Sequence, residues 1–512
     1  MDEKLETYLH TYFGYHEFQQ GQREIITDVL KGQDVLGVLP TGSGKSLCYQ
    51  LPAKILPGLT IVISPLISLM IDQVKQMKAY AYKEVEALHS FQAWKDKQQI
   101  LQQMNEYKLL FMSPELLQNK EIQHKMKQVT ISLFVIDEAH CISQWGHDFR
   151  PDYLRLRNIF AAYQESPVLA LTATASSKVQ NDIEHALERV PMQKHTYSIE
   201  RHNISLVVEQ ITEGETEKKE RLITYLTKCP APTIIYFSSR MKAEEISSYI
   251  HDKLPDRQVA YYHAGMQQEE RMQIQQQFLY NQLDIICSTS AFGMGINKSN
   301  IHLVIHYHIP TQLESFVQEI GRAGRDGKPS LSVVLYRKSE KQIPLTIIQN
   351  EVPTMEEITV VCDYLQNLAS QGESVPSFSE ELSQKLQINE VNWRFLMFQL
   401  EYRKMMKDGV LESAPEKWEK IIEEITTFSR SHYLNKQKEV WKLINWMEGT
   451  TCLRTSLYRH FQEHVQKKEK NCCSNCGVAI HEFADSTVRK TTQNGPSKNW
   501  QDELRSLLLE GV

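Results

Sequence analysis

No stretch of the 512 residues reaches the ~18 continuous apolar residues of a helical membrane span, so that class is excluded. Positive charge is not in excess either. The 57 Lys and Arg against 63 Asp and Glu leave a net charge of −6, so any polyanionic partner has to meet local basic surfaces rather than a global field. An internal repeat of short fixed period is also missing, which argues against solenoids and repeat arrays. Cysteine is too thin for a disulfide scaffold: of nine, Cys48, Cys141, Cys229, Cys287 and Cys362 are scattered, as suits a reducing compartment. The opening "MDEKLETYLHTYFGY" is acidic and amphipathic rather than a basic targeting segment. The expectation is a cytoplasmic chain, associated with the nucleoid if bacterial, without a membrane partner.

What is present is ordinary globular composition, 41% hydrophobic and 23% charged, at a length that suggests about three domains at about 150 residues each. Short apolar runs alternate with helical stretches as far as residue 340. The first set is "DVLGVLP", "TIVISP", "KLLFMSP", "SLFVIDE" and "PVLALTATA"; the second is "TIIYFSS", "VAYYHAG", "DIICSTS", "HLVIHYHIP" and "LSVVLYR". Continuous apolar strands between helices predict parallel sheets covered on both faces. Two sets predict two α/β domains, at 1–198 and 199–340, joined near "VPMQKHTYSIERHN". Helical periodicity then takes over, predicting a helical segment at 341–420, a helical cysteine-bearing subdomain at 421–480 and a polar tail at 481–512.

Directly after the first strand stands "PTGSGKS". A Gly-rich turn opening a helix aims several backbone N–H groups at one point, which makes Thr41, Gly42, Ser43, Gly44, Lys45 and Ser46 a candidate phosphate cradle. Lys45 is placed to reach β/γ-phosphates and Ser46 to ligate Mg²⁺. The full pattern calls for Gly where Leu39 stands, and a plain turn is the bland alternative. After the fourth run, "FVIDEAH" sets Asp137 and Glu138 at the carboxyl end of a strand. In company with a phosphate loop they divide the work: Asp137 orients hydrated Mg²⁺ and Glu138 takes a proton from the attacking water. Alone, the pair would read as a solvated turn.

The last four cysteines read C-x19-C-C-x2-C: Cys452, Cys472, Cys473 and Cys476. Four thiolates suit tetrahedral Zn²⁺, with a disulfide or free thiols as the alternative. Loss of the metal is expected to act regionally, leaving nucleotide binding intact.

The ordered series "PTGSGKS", "DEAH", "LTATA" and "QEIGRAGRDG" resembles superfamily 2 helicases, and the details resemble the RecQ family of DNA helicases. "FGYHEFQQGQ" is similar to that family's adenine motif, "SPLISLMIDQV" to its motif Ia, "CISQWGHDFRPDY" to its aromatic-rich loop and "STSAFGMGINK" to its motif V. The resemblance implies two tandem RecA-like parallel-sheet motor domains followed by a mainly helical zinc-binding region. It implies an ATP- and Mg²⁺-dependent helicase moving 3′→5′ on single-stranded DNA and unwinding forked duplexes in repair, recombination or fork processing. An RNA helicase of the DEAH type and a regulator with residual ATPase are the alternatives.

Residue by residue, the resemblance assigns Gln22 to the adenine edge and Tyr15 to its face; Gln19 stands where an arginine is common. It assigns Gln318, Arg322 and Arg325 to catalysis, with Arg325 the finger reaching across the cleft. DNA contact and coupling fall to Ser64, Pro65, Gln144, Trp145, Phe149, Arg150, Thr172, Thr174, Ser238, Arg240, His263 and Gly293. Asn297 replaces an expected Asp. The chain runs only to Val512 after Cys476, too short for the winged helix that often follows the zinc. Instead "SFSEELSQKLQINEVNWRFLMFQLEYRKMMKDGVLES" reads as a winged-helix-like pattern or as a helical hairpin on the motor. In the tail, Trp500, Leu504, Leu507 and Leu508 form a stripe that docks on its own chain or on a partner, such as a single-stranded-DNA-binding or repair protein.

Overall fold

Both sets of apolar runs become strands because β-branched, aliphatic and aromatic residues dominate them, with only single hydroxyl residues such as Ser132 and Ser332 inside. The computed structural model describes residues 2–79, 82–143, 151–293, 298–407, 409–461, 470–480 and 483. The first sheet contains β1 (Val35–Val38), β2 (Leu59–Ile63), β3 (Val85–Leu88), β4 (Leu109–Met112), β5 (Ile131–Ile136), β6 (Val168–Thr172) and β7 (Gln193–Thr196). Its order is β3-β4-β2-β5-β6-β1-β7, parallel throughout. The second contains β8 (Ile204–Gln210), β9 (Thr233–Tyr236), β10 (Val259–Tyr262), β11 (Ile285–Ser288), β12 (Leu303–His306) and β13 (Ser330–Tyr336). Its order is β10-β11-β9-β12-β13-β8, again parallel.

Each face of the first sheet has its own core. Ile61 and Ile63 point into one cluster and Val62 into the other, as two-sided burial of a parallel sheet requires.

Three strands went unanticipated, and all three are edge strands. β3 ("VEAL") is short and broken by Glu86 and β7 ("QKHT") is polar, so an apolar-run criterion passes over them; Val85, Ala87 and Leu88 tie β3 to the cores, whereas backbone pairing holds the largely exposed β7. β8 follows "RHN" directly. The joint therefore shrinks to residues 197–203, within which the 198/199 division falls.

Beyond the motor, helices Met355–Gln371, Glu380–Leu386 and Glu390–Tyr402 precede a two-stranded antiparallel hairpin, β14 (Met406–Lys407) and β15 (Val410–Leu411). Three helices and a hairpin are the order of a winged helix, and they share a separate core around Leu365, Trp393 and Leu396. The next helix, Pro415–Glu448, has 34 residues and so extends about 51 Å at 1.5 Å per residue. It crosses the 420/421 division, a correction to that expected boundary, because nothing between Pro415 and Glu448 breaks a helix. Trp418, Ile421 and Ile425 at one end pack in the separate core, while Val440, Leu443 and Ile444 at the other join the motor core.

Among the described residues no helix is long and apolar enough to cross a membrane. Gln144, Trp145, Phe149, Arg150 and Asn297, and the tail stripe at Trp500, Leu504, Leu507 and Leu508, lie outside the described residues.

Candidate active site

The turn after β1 is shaped by glycine. Gly42 (φ 84°) and Gly44 (φ 66°) occupy the left-handed region, and a Cβ on Gly44 would stand 2.7 Å from Gln22 Nε2. Helix Leu47–Ile55 starts immediately beyond, and the Ser46 hydroxyl at its N-cap makes no capping bond. Ser43 Oγ is buried without a hydrogen bond. Gln22 clamps this loop: its Nε2 donates to Ser43 O (2.8 Å) and Gly44 O (3.1 Å), and its Oε1 accepts from Gln19 N (2.9 Å). An adenine edge is thus offered only the second lone pair of that Oε1. Tyr15 is 57% exposed, open to a stacked ring.

β5 ends at the two carboxylates. Glu138 has φ 52° and ψ 48°, a left-handed conformation rare for a non-glycine residue and suggestive of a functional constraint. Burial, then the neighbouring Glu138, push the Asp137 carboxyl up to about 7 against the pull of Lys45. Burial also lowers the Lys45 ammonium, with Glu138 and Asp137 opposing. Asp137 and the Ser46 hydroxyl both act on the buried Tyr49, and a crowded acid with a serine hydroxyl in its neighbourhood fits a divalent cation, since a metal ion can take the place of the proton that Asp137 otherwise favours. His140 Nδ1 lies 2.9 Å from Thr172 Oγ1 and 3.4 Å from Glu138 Oε2, bridging the acid pair to the end of β6. Thr172 Oγ1 also donates to Thr174 O at 3.1 Å, so both threonines are buried beneath the cleft.

The second domain closes the cleft. Thr41 Oγ1 donates to Gly321 O at 2.9 Å, and a Cβ on Gly321 would meet that hydroxyl at 2.2 Å. A Cβ on Gly42 would lie 3.3 Å from Arg325 Cγ, which puts Arg325 against the Gly-rich turn after β1. Burial, then Arg322 and Arg201, lower the Arg325 guanidinium to about 9, which leaves it charged at neutral pH. Arg322 differs: buried, it donates to Gly293 O, and a Cβ on Gly293 would stand 2.7 Å from Arg322 Nη2. Gln318 is buried on helix Leu313–Ile320, which leads into the turn that carries Arg322 and Arg325.

Among the remaining positions, Ser238 lines a cavity with Gln318 and Arg322. Ser64 is buried after β2, next to Pro65. Ser238 Oγ is 2.8 Å from His308 Nδ1. Arg240 opens helix Arg240–Lys253, and His263 Nε2 pairs with Glu244 Oε1 at 2.7 Å.

Two residues at the cleft went unselected in the sequence. His140 was present in "DEAH", and its bridging reach was the signal. Arg201, in the joint, sends Nη1 to Thr41 O at 3.0 Å. A cation isolated in a short interdomain joint was the available signal.

The sulfur atoms of Cys452, Cys472, Cys473 and Cys476 lie within 4.8 Å of one another, with Cys452 Sγ 3.6 Å from Cys472 Sγ and 4.0 Å from Cys473 Sγ. Four thiolates around Zn²⁺ at ~2.3 Å stand about 3.8 Å apart, so the cluster fits that ion. Burial raises the Cys452 thiol, but hydrogen bonds from Thr455, Cys472 and Cys476 outweigh it and bring it to about 6. Burial and the neighbouring thiols push Cys472 up to about 11 and Cys476 to about 12, so one thiolate forms readily and a cation favours the rest. The knuckle extends the second sheet: Cys473 bridges Leu206 of β8 in parallel, and Ser474 N donates to Leu206 O at 2.8 Å.

The chain matches the DEAD/DEAH box helicase family profile over residues 19–183 and the helicase conserved C-terminal domain over 217–327. It is 42% identical over 335 residues to the ATP-dependent DNA helicase RecQ of Haemophilus influenzae, covering 65% of this chain and 53% of that one. It is 39% identical over 506 residues to the probable ATP-dependent DNA helicase RecS of Bacillus subtilis, covering 98% of each. The chain belongs to the RecQ family of superfamily 2 helicases. It therefore spans nearly all of one RecQ-family relative but about half the length of another. The fold also resembles the helicase Lhr of Mycobacterium smegmatis bound to single-stranded DNA and AMP-PNP, with a TM-score of 0.55 at 15% identity, covering 81% of this chain and 61% of that one.

Proposed function

We propose that this RecQ-family chain hydrolyses ATP to move 3′→5′ along single-stranded DNA and separate forked duplexes. The observation that carries the reading is Arg325, brought from the second domain onto the phosphate loop of the first. In the proposed reaction, Gly42 to Ser46 cradle the phosphates and Lys45 neutralises the β/γ oxygens. Ser46 and Asp137 would hold Mg²⁺, which supplies charge neutralisation when bound. Glu138 takes the proton as water oxygen bonds the γ-phosphorus; the β–γ bridging P–O bond breaks, giving ADP and phosphate. Arg325 meets the charge that spreads over the transferring group, a role typically worth ~10³ to 10⁵ in rate.

The coupling follows the same geometry. His140 and Thr172 join Glu138 to the end of β6, so a strand held by Ser64, Pro65, Ser238, Arg240 and His263 would feel the hydrolytic state. Trp145 and Phe149, with Gln144 and Arg150, would supply base stacking and phosphate contact on the sequence reading alone. Segment 355–411 reads as a winged helix placed ahead of a zinc-bound cysteine module. The proposed setting is cytoplasmic DNA repair, recombination or fork processing, with protein partners reached through the tail.

The test compares ATPase stimulation by single-stranded DNA, duplex and RNA, with strand displacement on 3′- and 5′-tailed duplexes. Stimulation by single-stranded DNA and unwinding only with the 3′ tail are expected. RNA-specific stimulation, or hydrolysis without displacement, would turn the reading to one of its alternatives.

A further inference from the structure

The joint between the motor domains does more than connect them. Arg201 sits within residues 197–203, after the edge strand of one sheet and before the edge strand of the other. Its guanidinium is shared between the two walls of the cleft. Nη1 donates to Thr41 O on the phosphate loop (3.0 Å) and to Gly321 O (3.2 Å); Nη2 donates to Ala323 O (3.2 Å) and Gly324 O (2.5 Å). The last three carbonyls belong to the turn that carries Arg322 and Arg325. Asn203 braces the same turn, donating through Nδ2 to Gly324 O (2.7 Å) and Lys328 O (2.8 Å).

Arg201 is itself held from the cysteine module. Arg454 and Tyr458 lie on helix Leu453–Arg459, which starts one residue after Cys452. Arg454, 1% exposed, donates through Nη1 to Glu200 Oε1 (3.1 Å) and Arg201 O (3.2 Å), and through Nη2 to Ile204 O. Arg201 N donates to the Tyr458 hydroxyl at 3.4 Å. A buried cation thus holds the Glu200 carboxylate and the backbone carbonyls of Arg201 and Ile204.

We infer that Arg201 is a positioning residue for hydrolysis, and that the helix following Cys452 sets its position, so the cysteine module acts on the ATP cleft as well as on local folding. The inference rests on the reading of that cleft as an ATPase. Only a guanidinium suits the task. Its planar fork offers five donors and can serve carbonyls on two walls at once, whereas a lysine ammonium is a compact charge on a flexible stem. The phosphate cradle, Gly42 to Ser46, lies wholly in the first domain, so loss of Arg201 leaves nucleotide binding in place and releases the turn that delivers Arg325.

The test uses the full chain with Arg201→Ala, Arg201→Lys and Tyr458→Phe. The expected result is a kcat reduced roughly 10²-fold in both Arg201 variants, the cost of misplacing a reacting group by about 1 Å. KM for ATP should stay close to that of the unsubstituted chain. Tyr458→Phe should lower kcat less, with its zinc content unchanged. Amide hydrogen exchange with AMP-PNP gives a readout apart from turnover. In the unsubstituted chain both residues 39–46 and 318–326 gain protection; in Arg201→Ala only 39–46 does. A purely structural role would instead raise exchange throughout the joint and leave kcat per folded molecule unchanged, which overturns the inference. Undiminished kcat in Tyr458→Phe likewise removes the link to the cysteine helix. If the unsubstituted chain hydrolyses no ATP, the proposed function falls and takes this inference with it; if it hydrolyses and Arg201→Ala matches it, the inference alone falls.

Discussion

Glu138 combines three properties that seldom meet in one residue: a left-handed backbone, a buried Oε2 without a hydrogen bond, and Lys45 close enough to feel its charge. Glu138→Gln keeps the shape but loses the basic oxygen. AMP-PNP affinity should hold while kcat falls by about 10² to 10⁴, the usual contribution of a general base, measured by single-turnover hydrolysis. His308 offers a test of stability. Burial, then the Lys218 ammonium, hold its imidazole down at about 3, and Ser238 N donates to its Nδ1 at 3.3 Å, where a proton would have to sit. An unfolded histidine titrates near 6.5, so this stabilisation is complete above pH 6.5 and is lost progressively as pH falls toward 3. Denaturant midpoints taken across that window should fall less steeply for His308→Asn.

The long helix Pro415–Glu448 belongs to two cores, and the element's role follows from that division. Trp418 anchors the outer end, fully buried, with its indole N–H donating to Glu412 O at 2.8 Å. Trp418→Ala removes that packing and hydrogen bond at a cost of about 3 to 5 kcal/mol. Because the other end is held separately by Val440, Leu443 and Trp446, the outer module should melt first, giving two calorimetric transitions while ATPase persists. A single lowered transition would show that the helix transmits the damage whole. This module also meets the first motor domain, through Arg155 with Glu401 and Arg157 over the Tyr402 ring.

For the whole molecule, the cysteine module is the point where three parts meet. It pairs with β8, grips the joint through Arg454, and sends Trp446 against Phe316 of the motor at 4.8 Å between ring centres. Cys476→Ser should reduce bound zinc from about one per chain to none, because a serine hydroxyl stays protonated at neutral pH and four thiolates close the site. Elemental analysis checks the metal, and stoichiometric zinc in the variant would refute the four-cysteine set. AMP-PNP binding should survive. Turnover should not, which narrows the purely regional damage that the sequence suggests.

Much of the candidate site was legible because its chemistry is local. A phosphate loop requires left-handed glycines next to Lys45 and Ser46, an acid pair must end a strand, and three of the four cysteines fall within five residues. Such constraints act over one turn of chain, where composition and spacing carry the signal. Apolar runs likewise marked ten of the thirteen motor strands, missing three that lie at sheet edges. The tertiary structure decided the rest. Thr41 meets Gly321 across 280 positions, Arg201 reaches Thr41 across 160, and Arg454 finds Glu200 across 254. No periodicity encodes such contacts, because backbone carbonyls exist at every position and only packing of the two sheets and the cysteine helix selects which of them one guanidinium can reach.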